Sequence, residues 1–294
     1  MQKIIPHLWY DKEAKEAAVY YTGIFDNARI LDTTVIEGTP SGDAEMVSFQ
    51  LEGQKFAAIS AGPFFKHNPS ISFMVACSTA EDVDRKHAAL SQGGFELMPL
   101  GEYPFSKRYA WIQDCYGVSW QLMLVDDSNE GQRITPNLLF TGDVCGKAEE
   151  AVEYYTKVFR NSRIDQVSRY TDGEAQKPEA KVNFAGFQLE GMSFAAMDNG
   201  YSADFSFNES ISFIVGCQDQ EEIDYYWNAL SAEPEAEQCG WLKDRYGVSW
   251  QITPENMDEV MYHGSKEEKL RVTEAFLKMK KFDLAVLEKA RLGR

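Results

Sequence analysis

The sequence predicts an α+β protein made of two copies of one domain followed by a helical tail. Long stretches of residues recur in the same order at an offset of about 130 to 140 residues. Short apolar runs alternate with segments of helical periodicity inside each copy. The pattern changes again after Thr253, where helical spacing dominates. These observations divide the chain into a first copy, 1–130, a second copy, 131–254, and a tail, 255–294.

Two repeated segments illustrate the duplication. Phe-Gln-Leu-Glu-Gly occupies 49–53 and returns at 187–191, and Tyr-Gly-Val-Ser-Trp-Gln occupies 116–121 and returns at 246–251. The first copy carries about ten extra residues within 93–110, which we interpret as a longer loop. Each copy is close to the commonest domain size, so each is long enough to bury its own core.

Each copy is predicted to contain two βαβββ units, because the order of strand, helix and three strands occurs twice in it. In the first copy the predicted elements are strand 3–10, helix 12–24, strands 29–36, 45–52 and 55–60, then strand 70–77, helix 79–91, and strands near 95–99, 108–113 and 118–125. The second copy repeats this order. In the tail, Ser265-x-x-Glu268 is a capping box that predicts a helix, and Asp283 predicts the start of another. We expect this tail to pack against the second copy or a partner chain.

Composition excludes several classes of function. The chain has 294 residues, 44% of them hydrophobic, and a net charge of −17, which is typical of a globular protein without a basic patch. Nucleic acids and anionic membranes are therefore not expected partners. The N-terminus lacks the apolar core of a signal peptide, and no run approaches about 20 apolar residues, so we expect a cytoplasmic protein.

The five cysteines are odd in number and show no spacing typical of a metal site. Cys77 and Cys217 fall at matching strand ends of the two copies. We interpret them as small buried hydrophobic side chains, with a reactive thiol as the alternative.

The period of two along the strands predicts a mixed polar and apolar face opposite the helices. Such a face suits a ligand cup, although a solvated sheet face is the alternative. We expect one cup near His7 and Gln121 and a second near Asn137 and Gln251. The candidate ligand-binding residues are His7, Trp9, Ser72, Trp111, Gln121, Asn137, Ser212, Trp241 and Gln251. For His7 the alternative is a hydrogen-bonded structural role, and for the two tryptophans it is a place in the core.

The paired units and the closing Asp-x-Tyr-Gly-Val-Ser-Trp-Gln strand resemble the vicinal oxygen chelate superfamily, which has the glyoxalase and bleomycin-resistance fold. Segment 239–252 and tail segment 272–283 look like the PhnB-like branch, whose members are often labelled 3-demethylubiquinone-9 3-methyltransferase. The N-terminal Ile-x-Pro-x-Leu-Trp-Tyr strand resembles that branch too. The resemblance implies tandem glyoxalase-like domains whose units form curved mixed sheets, and an intramolecular pseudo-dimer, with a homodimer left open.

The resemblance also implies where a metal ion would be held in the metal-dependent members, on the first, fourth, fifth and eighth strands. The matching positions are His7, Ala57 or Ala58, Ser70 and Gln121 in the first copy, and Asn137, Ala195 or Ala196, Ser210 and Gln251 in the second. Neither set contains a carboxylate, so no cofactor is predicted. His7 and Gln121 remain the candidates if a divalent metal binds.

Four hypotheses for the function follow. The first is a small-molecule-binding protein without a functional metal, and if only one cup is active we expect it to be the one that holds His7. The second is a metal-dependent lyase or dioxygenase of the same superfamily. Methyl transfer is the third and is disfavoured, because the sequence lacks the Gly-rich turn of the common fold that binds S-adenosylmethionine. The fourth is a structural module that binds a protein partner, which would lack an enclosed cavity.

Overall fold

The computed structural model describes residues 2–39, 42–126, 131–257 and 264–294. The predicted boundary at residue 130 lies outside the described residues. The elements of the first copy are β1 (Ile4–Tyr10), α1 (Ala14–Thr22), β2 (Arg29–Thr39), β3 (Gly42–Leu51), β4 (Gln54–Ser60), β5 (Ile71–Cys77), α2 (Ala80–Leu90), β6 (Phe95–Tyr103), β7 (Ser106–Gln113) and β8 (Ser119–Leu124). The order and type of all these elements are as the sequence predicts.

The second copy also alternates strands with helices, and the tail consists of helices. Their elements are β9 (Ile134–Phe140), α3 (Ala148–Val158), β10 (Arg163–Arg169), β11 (Val182–Leu189), β12 (Met192–Asp198), β13 (Ile211–Cys217), α4 (Gln220–Leu230), β14 (Trp241–Lys243), β15 (Ser249–Pro254), α5 (Lys266–Phe276) and α6 (Leu284–Leu292). Among the described residues, no helix is long and apolar enough to cross a membrane.

Each of the two sheets combines one unit from each copy. The seven-stranded sheet, here sheet I, has the order β14-β15-β13-β1-β4-β3-β2, and the eight-stranded sheet, sheet II, has the order β10-β11-β12-β9-β5-β8-β7-β6. The two copies join where β1 pairs antiparallel with β13 and where β5 pairs antiparallel with β9. The tandem glyoxalase-like fold is therefore confirmed, with sheets that run across both copies.

The apolar core lies between the two sheets and under the helices. The face of β1 predicted to pack on helices is buried at Ile4, Leu8 and Tyr10. Within a copy the two units meet through aromatic pairs, since the Phe56 and Phe73 rings are 5.4 Å apart and their counterparts Phe194 and Phe213 are 5.2 Å apart. Each copy thus shares a core between its own units, while its sheets continue into the other copy.

The cysteines at the matching strand ends are buried, as predicted. Cys77 and Cys217 are each 1% exposed, and burial raises the pKa of both thiols to about 12. A thiol with this pKa is protonated at neutral pH, so both behave as small apolar side chains.

The extra residues of the first copy form a strand pair. The strands predicted near 95–99 and 108–113 continue towards each other as β6 and β7, which pair antiparallel at the edge of sheet II, so most of the predicted longer loop is strand. The corresponding part of the second copy holds only a short 3-10 helix, Pro234–Ala236, before β14. The prediction of four complete βαβββ units is therefore wrong for the last one, which is βαββ.

The tail covers the edge of sheet I that lacks this strand. Backbone N–H groups of Cys239 and Gly240 donate to the carbonyl oxygens of Met279 and Lys280 at 2.8 and 2.7 Å. Both predicted caps are confirmed, since Ser265 forms a capping box with Glu268 and Asp283 accepts from the Val286 backbone N–H at 3.0 Å. The tail therefore packs on the second copy.

Candidate functional site

The repeated Asp-x-Tyr-Gly-Val-Ser-Trp-Gln motif folds into a tight turn that places a glutamine on the sheet. In the second copy, Asp244 Oδ1 accepts from the backbone N–H groups of Tyr246 and Val248 at 2.9 and 3.1 Å, and its Oδ2 accepts from Trp250 Nε1 at 2.8 Å. Gly247 supplies the left-handed turn with φ of 88°. The chain then enters β15, in which Trp250 is buried in the core. The following residue, Gln251, faces the opposite side of the sheet.

The His7 cup is the face of sheet I around His7, Ser212 and Gln251. Pairing of β1 with β13 sets His7 opposite Ser212, and pairing of β13 with β15 sets Ile214 beside Gln251. Gln251 Nε2 donates to Ser212 Oγ at 2.9 Å, and Ser212 Oγ lies 3.4 Å from His7 Nδ1. These three side chains form one chain of polar contacts at the base of the cup.

His7 is neutral in this setting. It is 1% exposed, and burial, followed by the proximity of His67, lowers its pKa to about 3. Because Ser212 Oγ already accepts from Gln251, its own proton is free to be donated to His7 Nδ1. This assignment leaves the proton of the imidazole on Nε2, which has no hydrogen-bond partner among the described residues. His7 therefore presents an N–H donor to the cup.

A cavity of about 760 Å³ lies over these residues. Its aromatic wall includes Trp9 and Trp241, whose ring centroids are 5.9 Å apart, and Phe64 and Phe65, which contact Trp9. The Trp241 ring also meets His7 edge to face at 5.5 Å. Tail residues close part of the cavity, namely Phe276, Leu277 and Phe282.

The Asn137 cup is the corresponding face of sheet II around Asn137, Ser72 and Gln121. Gln121 Nε2 donates to Ser72 Oγ at 2.8 Å, and Asn137 Nδ2 lies 3.4 Å from the same oxygen. Two more polar groups of this cup already have hydrogen-bond partners. The Tyr109 hydroxyl donates to Gln121 Oε1 at 2.7 Å, and Trp111 Nε1 donates to Ser119 Oγ at 2.7 Å.

The two cups differ in which polar groups are already occupied. In the His7 cup, Cys239 occupies the position that Tyr109 has in the Asn137 cup. The hydroxyl that donates to Gln121 Oε1 therefore has no counterpart, and Gln251 Oε1 has no hydrogen-bond partner among the described residues. Trp241 packs on His7 and Trp9, and the buried Ser249 Oγ is left without a partner in the described part of the chain. The His7 cup thus keeps an amide oxygen and an imidazole N–H free for a ligand.

The structure brings the predicted residues together in a different grouping. The pairs His7 with Gln121 and Asn137 with Gln251 are wrong, because β1 and β8 belong to different sheets. His7, Trp9, Ser212, Trp241 and Gln251 share sheet I. Ser72, Trp111, Gln121 and Asn137 share sheet II. The reason is that the connection after β4 carries the chain from sheet I to sheet II, so residues of one copy are divided between the two cups.

Some cavity residues escape the strand pattern. Phe64 and Phe65 lie on the connection after β4, and Phe276 lies on the tail, where the period of a strand does not apply. The signal that could have indicated the first two is a pair of aromatic residues next to Pro63 in a loop. Phe64 is 65% exposed, which is unusual for a side chain with only a packing role.

The donor set of the His7 cup does not fit a tightly held divalent metal. In sheet I the positions implied for metal ligands carry His7, Ala57 or Ala58, Ser210 and Gln251, and Ser212 lies between His7 and Gln251. Alanine supplies no ligand atom, and one imidazole with an amide and a hydroxyl is a weak set for such an ion. Among the described residues, no cluster of three or more His, Cys, Asp or Glu side chains is arranged to hold one.

Comparison with known proteins agrees with this architecture. The family model of 3-demethylubiquinone-9 3-methyltransferase matches residues 2–123 and again 132–253. A PhnB protein from Bacillus cereus that bears the same family name is 38% identical to this chain, and the match covers 42% of this chain and all of that one, with a TM-score of 0.40.

Glyoxalase I from Zea mays is 12% identical with a TM-score of 0.56, over 89% of this chain and 98% of that one, which shows a shared fold. No curated protein sequence matches the chain. Two consecutive matches to one family model account for both halves of the chain. The chain belongs to the family described as 3-demethylubiquinone-9 3-methyltransferase, as a tandem duplication of its domain.

Proposed function

We propose that this protein binds a small organic molecule in the His7 cup and that it does so without a resident metal ion. The observation that carries the proposal is the cavity of about 760 Å³ over His7 and Gln251. Its volume falls in the range of about 300 to 1,000 Å³ found for small-molecule sites. Its lining is largely apolar, with a few polar groups at the base, which is the usual composition of such sites.

The free polar groups suit recognition of a ligand. His7 Nε2–H can donate and Gln251 Oε1 can accept, and Ser212 holds both side chains in place through its hydroxyl. A ligand that left these buried groups without partners would lose about 1 to 3 kcal/mol for each one. We therefore expect the ligand to carry a hydrogen-bond acceptor and donor at one end of an apolar body.

Methyl transfer has no support beyond the family name. The turn between β1 and α1 reads Asp11-Lys12-Glu13, where the common fold that binds S-adenosylmethionine would need glycines. The strand order of sheet I, with β1 between β4 and β13, also differs from the doubly wound parallel sheet of that fold.

Binding of a neutral fluorescent probe, N-phenyl-1-naphthylamine, tests the proposal. We expect saturable binding at one site per chain. Ile214 lines the cavity, so Ile214→Trp should fill it and weaken probe binding at least about tenfold, a loss of about 1.4 kcal/mol. Met74 is the corresponding half-buried residue of the Asn137 cup, so Met74→Trp is the matched control and should leave binding unchanged.

Two outcomes would contradict the proposal. One is probe binding that Met74→Trp removes and Ile214→Trp leaves intact. The other is elemental analysis of the purified protein that finds near one zinc, nickel or iron per chain, lost in His7→Ala, because that result would establish a metal site.

A further inference from the structure

We propose that the ligand of the His7 cup is a hydrophobic cation, such as a substituted ammonium or a protonated amine. This inference rests on the proposed function of the same cup and names the class of molecule that it takes. The aromatic wall and the charges around the cavity both favour a cation.

The aromatic wall places four rings on the lining of the cavity. The Trp9 ring lies 5.1 Å from Phe65, 6.4 Å from Phe64 and 5.9 Å from Trp241, all in edge-to-face arrangements. Trp9 Nε1 donates to the Gly62 carbonyl at 2.8 Å, which fixes the plane of its ring. The electron-rich faces of such rings attract ammonium groups, and tryptophan does so most strongly.

The charged residues that line the cavity are mainly acidic. They are Asp32, Glu209, Glu235 and Glu255, with Lys55 as the one base among the described lining residues. Glu209 is paired with Lys243 at 2.8 Å, whereas no salt bridge neutralises Asp32, Glu235 or Glu255 among the described residues. The net charge of −17 adds to the negative potential of the whole surface. Carboxylates at the mouth of an apolar cavity concentrate cations there and repel anions.

The position of Glu235 links the unpaired carboxylates to the aromatic wall. Glu235 lies on the 3-10 helix Pro234–Ala236, which packs against β14, the strand that carries Trp241. A carboxylate that makes no salt bridge among the described residues therefore lies close to the strand of one of the two tryptophans. The base of the cup adds no positive charge, because the imidazole of His7 is neutral.

Competition among three matched molecules tests the inference. The full chain is loaded with N-phenyl-1-naphthylamine, which is then displaced by trimethyl(2-phenylethyl)ammonium, by its neutral carbon isostere (3,3-dimethylbutyl)benzene, or by 2-phenylethanesulfonate. The cation and the isostere both lack hydrogen-bonding groups for His7 and Gln251, so the difference between their affinities isolates the charge. We expect the cation to bind at least about fivefold more tightly than the isostere, and the sulfonate to bind more weakly than the cation. Added salt should weaken the binding of the cation and leave the binding of the isostere unchanged.

One variant tests whether the aromatic wall causes the preference for the cation. Leu139 stands at the position of Trp9 in the other cup, so Trp9→Leu is a substitution that the fold already accommodates. It should reduce the preference for the cation over the isostere about fivefold. Trp111→Leu, in the Asn137 cup, is the control and should leave all three affinities unchanged.

The outcomes separate this inference from the proposed function. If the probe binds in the His7 cup but the isostere or the sulfonate matches the cation, the cation preference is wrong and the binding function stands. If the probe does not bind the chain at all, the proposed function fails and this inference fails with it.

Discussion

The neutral state of His7 has a measurable consequence for stability. Its pKa is about 3 in the folded chain, against 6.5 for the ordinary side chain, so below pH 6.5 the unfolded state takes up a proton that the folded state refuses. Stability from this residue is therefore complete well above pH 6.5 and is lost as the pH falls towards 3. Relative to His7→Asn, which carries the residue found at Asn137, the free energy of unfolding should drop by about 2 kcal/mol between pH 8 and 5.

Urea unfolding of both proteins at several pH values measures this difference. His67 is present in both, so its own lowered pKa contributes equally to the two curves. Parallel pH dependences of the two proteins would show that His7 takes up a proton as readily in the folded chain as in the unfolded chain, which would contradict the buried, neutral imidazole of the His7 cup.

The aspartate of the repeated turn motif makes a second prediction at this scale. Asp114 Oδ1 accepts from the backbone N–H groups of Tyr116 and Val118, and its Oδ2 accepts from Trp120 Nε1 at 2.8 Å. In Asp114→Asn the amide NH₂ would face the indole N–H, donor against donor. We expect a loss of about 1 to 3 kcal/mol in the free energy of unfolding, measured by urea titration.

Asp172→Asn is the control for this change, because Asp172 is exposed and makes no hydrogen bond with its side chain among the described residues. It should change stability by less than about 0.5 kcal/mol. Equal effects of the two substitutions would mean that the turn does not depend on its carboxylate.

At the residue scale, the sequence predicts which side chains line a cup better than it predicts which of their hydrogen-bonding groups have no partner. The strand period correctly puts His7, Trp9 and Gln251 on the face opposite the core. It cannot show that Tyr109 occupies Gln121 Oε1 while Cys239 leaves Gln251 Oε1 free, because that difference depends on which strand lies alongside.

At the scale of elements, the tail depends on one glycine. Gly240 has φ of 84°, and a Cβ at this position would lie 2.5 Å from Cε2 of the Phe282 ring. Gly240→Ala should therefore displace Phe282 from the cavity wall and weaken binding of the fluorescent probe. The free energy of unfolding should fall by more than the roughly 1 kcal/mol that a left-handed alanine costs by itself.

Gly173→Ala provides the matched measurement, because Gly173 has φ of 80° and nothing within 4 Å of the Cβ site. It should show the backbone cost alone, with probe binding intact. If Gly240→Ala and Gly173→Ala lose the same stability and probe binding is unchanged, the packing of the tail at Gly240 does not support the cavity wall.

The element scale is where sequence reasoning performs best. Amphipathic spacing and capping residues act within a few neighbours along the chain, so the strands, helices and both tail caps are recovered. The extent of β6 is the exception, since the strand predicted near 95–99 continues to Tyr103. The strand pairs with β7 through register shifts, and Pro99 and Gly101 interrupt the regular alternation that marks a strand, which is why its second half resembles a loop in the sequence.

At the scale of the whole molecule, the composite sheets make the two copies dependent on each other. Residues 1–126 alone would expose the edge of β1 that pairs with β13 and the edge of β5 that pairs with β9. Unpaired edges of this kind promote association. We expect this fragment to form a homodimer in which β1 of one chain pairs with β5 of the other, as measured by size-exclusion chromatography with light scattering.

A folded monomer of 1–126 with native strand content would contradict this dependence. The cross-copy pairing could not be predicted from the sequence, since strand period and repeat offset are the same whether units of one copy or of different copies share a sheet.

The central claim is that a ligand occupies the cup of sheet I over His7, and a crystal structure of the full chain with trimethyl(2-phenylethyl)ammonium tests it most directly. We predict electron density for the ammonium group beside Trp9 and Trp241, with the phenyl ring in the apolar part of the same cavity. Density against Asn137 and Gln121 in sheet II, or a metal ion bound to His7, would contradict it.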